Sequence, residues 1–199
     1  MRSCWSAGLV LLLVAGLPGL LDAGTVTLDF EGFPDSTALT NQYPGLTFSN
    51  TTVITAGVSL NEFEFPPHSG TNVVFDDGGA ISIDFASPIL SFSGFFTYTV
   101  PLTLAAFDAT SAQVASTTST FSNNLALSGD PGSSPNEFLQ VSFASGISSL
   151  TITGDPAGGS FVLDDATYGT GSSTVPEPGS LALLLSGSMI VAILKRRRK

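Results

Sequence analysis

Between residues 24 and 169 the apolar side chains fall at every second position, and no stretch keeps a 3.6-residue period. A chain patterned in this way has strands to offer and no helices. Val26, Leu28 and Phe30 alternate with Thr27 and Asp29; Ile81, Ile83 and Phe85 alternate with Ser82 and Asp84; Leu90, Phe92, Gly94, Phe96 and Tyr98 alternate with Ser91, Ser93 and Thr97. Successive strand residues face opposite ways, so each run has one apolar face to bury. Phe96 and Ile83 are predicted to point inward, Thr97 and Ser82 outward. Further runs span 46–49, 52–55, 72–75, 102–108, 113–118, 138–143, 148–153 and 160–168.

Turn chemistry separates these runs. Asp76-Asp77-Gly78-Gly79 and Asp155-Pro156-Ala157-Gly158-Gly159 read as tight turns, and residues 123–136, with Gly129-Asp130-Pro131-Gly132, as a longer loop. All fifteen Phe residues lie in this region, which suits a buried core. The predicted fold is all-β: ten or so short antiparallel strands in a two-sheet, jelly-roll-like sandwich.

The same region, residues 24–169, holds fourteen Asp or Glu residues and no Lys or Arg, a charge of −14 with His68 neutral. The six cations of the chain are Arg2 and the final five residues. Such a surface repels nucleic acid, excluding it as a partner, and favours cations. Solubility alone accounts for most of these charges on this reading.

Both ends read as targeting segments. Residues 1–23 place Arg2 ahead of an apolar stretch and end on Ala23, the layout of a secretory signal peptide cut before Gly24. Cys4, the only cysteine, would leave with it, so the exported protein would hold no disulfide. A linker, residues 170–175, joins the domain to Pro176-Glu177-Pro178, then an uncharged run containing Leu181 to Leu194, then Lys195-Arg196-Arg197-Arg198-Lys199. The uncharged run from Gly179 is sixteen residues, so as a helix it would reach about 24 Å, short of a ~30 Å hydrocarbon core. By the positive-inside rule the basic cluster stays cytoplasmic and the domain is exported.

This order of Pro-Glu-Pro, a short apolar helix and a terminal basic cluster resembles the PEP-CTERM sorting signal of exported bacterial proteins, over residues 176–199. The resemblance implies an exosortase as processing partner. It also implies passage through the inner membrane by the C-terminal helix, and delivery to the cell surface or the medium.

Catalytic chemistry is sparse. His68, in Pro66-Pro67-His68-Ser69-Gly70, is the only histidine and reads as a loop residue; no Gly-x-Ser-x-Gly elbow accompanies it. Zinc catalysis lacks ligands. Glu62 and Glu64, two apart on a presumed strand face, are the pair a glycoside hydrolase would use, and equally an ordinary acidic surface. Asn50-Thr51-Thr52 matches the N-glycan acceptor pattern.

Asp29 and Glu31 would share a strand face, and Asp164-Asp165 near the other end would meet them if the first and last strands pair. These acids are similar to those that ligate calcium at the ends of jelly-roll ectodomain modules, which makes a structural Ca²⁺ the one expected cofactor. Two functions follow: a non-catalytic binding or structural module of the cell surface or extracellular matrix, with polysaccharide as a candidate partner, or a secreted polysaccharide-acting hydrolase.

Overall fold

The computed structural model describes residues 24–171. The expected leader, residues 1–23, and the chain from 172 onward lie outside the described residues, including Pro176, Glu177, Pro178, Leu181, Leu194 and the basic run Lys195–Lys199. The described residues form nine strands and no helix: β1 Thr25–Leu28, β2 Leu46–Ser49, β3 Thr51–Thr55, β4 Asn72–Asp76, β5 Ile81–Tyr98, β6 Thr103–Phe107, β7 Gln113–Thr118, β8 Glu137–Thr153 and β9 Phe161–Thr170. All pairings between these strands are antiparallel.

Two strands are longer than any run read from the sequence. The runs at 81–85 and 90–98 join as β5, of 18 residues, and those at 138–143 and 148–153 join as β8, of 17. Pro88 has no N–H to donate, and the β5–β8 register slips between Asp84 and Ile89 and again before Ser91. Opposite it, Gly146 takes a φ of +105°, and a Cβ there would stand 2.8 Å from the Pro88 Cβ. The two long strands therefore bend together at this point.

The bend divides one hydrogen-bonded sheet into two layers. In the first, β2 pairs with the early half of β5, which pairs with the late half of β8, followed by β6 and β7. In the second, the late half of β5 lies between the early half of β8 and β9; β4 and β1 share the far side of β9, and β3 flanks β4. Two discrete sheets of short strands were expected; here strands run from one layer into the other.

One core joins the layers. Phe48, Ile83, Leu104 and Ile152 from the first and Phe92, Phe96, Leu139 and Leu163 from the second belong to a single buried cluster. Across the layers Phe85 meets Tyr168 at 5.7 Å between ring centroids. Phe96 and Ile83 are buried as predicted. Thr97, expected outside, is also fully buried. The cause is a second cluster, Leu60, Val73 and Val162 with Ile54, Phe65 and Phe75, which lies on the opposite side of β9 and β4 from Leu163 and Val74. Segment 56–70 covers that outer face as a strap. Residues 23–171 form one compact unit, with the two core clusters and nine strands of the described residues inside it.

Candidate functional site

The strap places the functional candidates. On its way across the second layer, Asn136 Nδ2 donates to the Pro66 carbonyl at 3.1 Å, and Asn136 N–H donates to Thr97 Oγ1 at 2.9 Å. Beyond it, Glu31 Oε1 accepts the N–H groups of Thr71 and Asn72, each at 2.8 Å. Between these anchors the strap is held by an irregularity in β9. Ser93 faces Thr167, yet Phe95 faces Asp164, so β9 carries one extra residue there, and Asp165 adopts a φ of +44°. In a regular strand adjacent side chains point to opposite faces; this bulge brings both carboxylates to the strap.

Asp164 Oδ2 accepts the N–H groups of His68 at 2.7 Å and Ser69 at 2.9 Å, and Oδ1 accepts the N–H of Asp165 at 2.7 Å. Asp165 takes the imidazole Nδ1 of His68 at 2.7 Å through one oxygen and the Ser69 hydroxyl at 3.0 Å through the other. Asp164 is fully buried, and that burial pushes its carboxyl up to about 6 against the opposing effect of its donors.

So fixed, His68 stacks on Phe95 with ring centroids 3.5 Å apart and planes 7° from parallel. Phe95 meets Phe138, its cross-strand partner on β8, at 5.4 Å. Phe138 is 52% exposed and the His68 side chain 37%. Gln140 and Ser142 follow Phe138 at strand spacing, on the same outer face, and both are exposed. The result is an aromatic surface bordered by amide, hydroxyl and carboxylate groups.

The other sequence candidates fall elsewhere. Asp29 and Glu31 do not share a strand face: β1 ends at Leu28, and Phe30 between them has a φ of +60°. Asp29 accepts the N–H of Glu31, Glu31 holds the end of the strap, and Asp164 and Asp165 hold its middle. Calcium takes six to eight converging oxygens, and among the described residues no group of three or more His, Cys, Asp or Glu is placed to hold a metal ion. As they stand, the four acids serve protein donors.

Glu62 and Glu64 lie in a turn, not on a strand. Glu62 accepts the N–H of Gly57, while Glu64 accepts those of Leu127 and Ser128. They do not flank a shared space. Ser69 bonds Asp165 rather than the His68 ring, so these three side chains are not wired as a nucleophile, base and acid. Asn50 Nδ2 is engaged with the Ala80 carbonyl at 3.0 Å. A shallow groove of about 320 Å³ beside β2, walled by Tyr43, Phe85 and Asp84, contains neither glutamate.

Sequence reasoning read His68 as a loop residue, which it is, without its stacking partner, and passed over Phe95 and Phe138. A signal was present: Phe95 is the apolar residue out of phase in Leu90–Tyr98, and Phe138 is out of phase with Leu139 and Val141. Which loop would cover that phase was not legible.

No family model and no curated protein matches the chain. Among solved structures it is similar to the K2 cleaved adhesin domain of Lys-gingipain, with a TM-score of 0.48 and 14% identity over 73% of this chain and 99% of that one. A DUF4465 family protein from Bacteroides caccae gives 0.45 and 9%, over 73% and 98%. A family 29 carbohydrate-binding module gives 0.40 and 13%, over 79% and 100%.

Proposed function

We propose that residues 24–169 form the exported, non-catalytic binding part of a surface protein, a jelly-roll-like module whose outer aromatic face holds polysaccharide. The observation that carries this reading is the stacked His68–Phe95 pair with Phe138 beside it. Flat apolar rings open to solvent accept the C–H face of a pyranose, while Gln140, Ser142 and Asp165 meet its hydroxyls. With fourteen carboxylates and no Lys or Arg in the domain, the ligand is an uncharged polymer rather than a polyanion.

Affinity electrophoresis of the 24–171 fragment through gels containing neutral glycans or polyuronates tests the reading. Retardation by a neutral glycan, abolished by Phe138→Ala without loss of folding, is the expected result. No retardation by any glycan, or retardation unchanged in the variant, overturns it; release of reducing ends from the same polymers would favour a hydrolase instead.

The export route rests on the sequence alone. The leader is removed near Gly24, the apolar C-terminal segment enters the inner membrane, and an exosortase acts near Pro176-Glu177-Pro178, leaving the domain at the cell surface or in the medium. The intact mass of the surface pool is the test. A chain still ending in Lys199 would reject the processing step.

A further inference from the structure

The strand edges of this domain are treated unequally. β3 is covered by residues 36–39: Ser36 N–H donates to Val53 O, Val53 N–H to Thr37 O and Leu39 N–H to Thr51 O, each at 2.8 Å. At β2, the Phe48 N–H is taken by Thr40 O at 2.6 Å. β1 has only four residues, a length that itself blunts an edge. The early half of β8 is bordered at its start by Thr120, whose N–H is held by the Glu137 carboxylate at 2.9 Å.

β7 differs. It ends the path of paired strands with β6 as its neighbour, and among the described residues no backbone hydrogen bond reaches its outer side. Gln113-Val114-Ala115-Ser116-Thr117-Thr118 has no proline and no charge; its one protection is a bulge at Val114, near its start, which leaves Ala115–Thr118 regular. The absence of charge extends over residues 109–129, in a domain that otherwise carries fourteen carboxylates. Two copies meeting on most other faces bring carboxylates together. Two copies meeting at β7 do not.

We propose that β7 is a self-association edge, at which a second copy of this chain adds its own β7 in antiparallel pairing across a two-fold axis. The register is constrained by geometry. Residues directly opposite in an antiparallel pair both turn their ladder groups toward the partner or both away. A strand pairing with itself therefore places the axis on a residue and not between two. Ser116, exposed at mid-strand, is that residue. Ala115 then faces the partner's Thr117, a neutral pair of small and β-branched side chains, while the bulge at Val114 ends the regular ladder. One strand pair falls short of the roughly 1,000 Å² of a stable interface, so association is weak and grows with the local concentration that surface display provides. It is independent of any glycan held on the aromatic face.

The 24–171 fragment contains no cysteine, which permits a direct test. A Ser116→Cys variant sets two thiols opposite each other and should form a disulfide-linked dimer under mild oxidation, while a Ser142→Cys variant on β8 stays monomeric. In sedimentation the parent fragment should climb toward twice the monomer mass as concentration rises. Ser116→Lys, which places like charges face to face, should remain monomeric with an unchanged melting temperature. A parent fragment that stays monomeric at all concentrations overturns the proposal. So does association of Ser116→Lys equal to the parent's, or cross-linking at position 116 no faster than at 142.

Discussion

Asp164→Asn tests the latch between β9 and the strap through its pH dependence. The carboxyl is fully buried, receives three backbone N–H groups, and titrates at about 6 rather than 3.8 because burial disfavours its ionised form. Between those two values the folded state keeps a proton that the unfolded chain has released. Stability from this group is therefore complete below the unfolded value and is lost as pH rises through about 6. A rise of this size corresponds to at most about 3 kcal/mol, and solvent near the strand edge reduces it to about 1–3 kcal/mol. The assay is urea unfolding of the 24–171 fragment, parent and variant, in small steps from about pH 4 to about pH 8. The asparagine keeps one acceptor but turns an NH2 toward a donor, so the variant is less stable in acid. Its stability should then fall less steeply with pH. Asp76 and the remote carboxylates persist in both proteins, while Asp165, whose charge also raises Asp164, is coupled to it, so the difference reports the Asp164 latch with its neighbour. Parallel curves would refute the reasoning.

Phe96→Ala, at a fully buried ring, should cost about 3–5 kcal/mol in denaturant melts. Thr97→Val removes the acceptor of the Asn136 N–H and should cost about 1–3 kcal/mol; a loss below a few tenths would mean that the strap does not seal that face. Millimolar calcium followed by chelator should leave the melting temperature unchanged, since the four acids are occupied by protein donors. An increase that disappears in Glu31→Gln with Asp164→Asn would instead establish the calcium site expected from the sequence.

The all-β character was legible because period-two alternation has one geometric meaning. The inward set, including Ile83, Phe92 and Phe96, followed from the same pattern. The continuity of β5 and β8 was not legible: Pro88 and Gly146 read as strand ends, and only their cross-strand placement shows that they bend two strands together. Thr97 was misplaced because alternation says which face is apolar and not whether the polar face is covered. Val73, Val74 and Phe75, with Phe161, Val162 and Leu163, did hold that information, as consecutive apolar residues in strands buried on both sides. The Asp164-Asp165 pair was noticed, yet its role depended on a bulge that no spacing rule reveals.

The acidic composition takes on a different meaning once its partners are known. Read as a solubility device, it needs carboxylates that face water with nothing to do. Eleven of the fourteen instead accept at least one backbone N–H: Asp29, Glu31, Asp35, Glu62, Glu64, Asp76, Asp108, Asp130, Glu137, Asp155 and Asp164. A domain without Lys or Arg has only peptide N–H groups, hydroxyls, amides and one imidazole to donate, and loops have unpaired N–H groups to spare. Each acid fixes a turn or ties a loop to a strand. Asp76 is a fully buried case, with the N–H groups of Ser160 and Phe161 and the Ser160 hydroxyl converging on one carboxylate. The two senses of titration then oppose each other. Hydrogen bonds hold Asp35 and Asp108 below the ordinary carboxylate range, so their contribution is lost as pH falls through those lowered values. Burial raises Asp76 and Asp164, whose contribution is lost as pH rises. On these four groups stability should therefore peak near the unfolded carboxylate value of 3.8 and decline toward neutrality as Asp164 ionises.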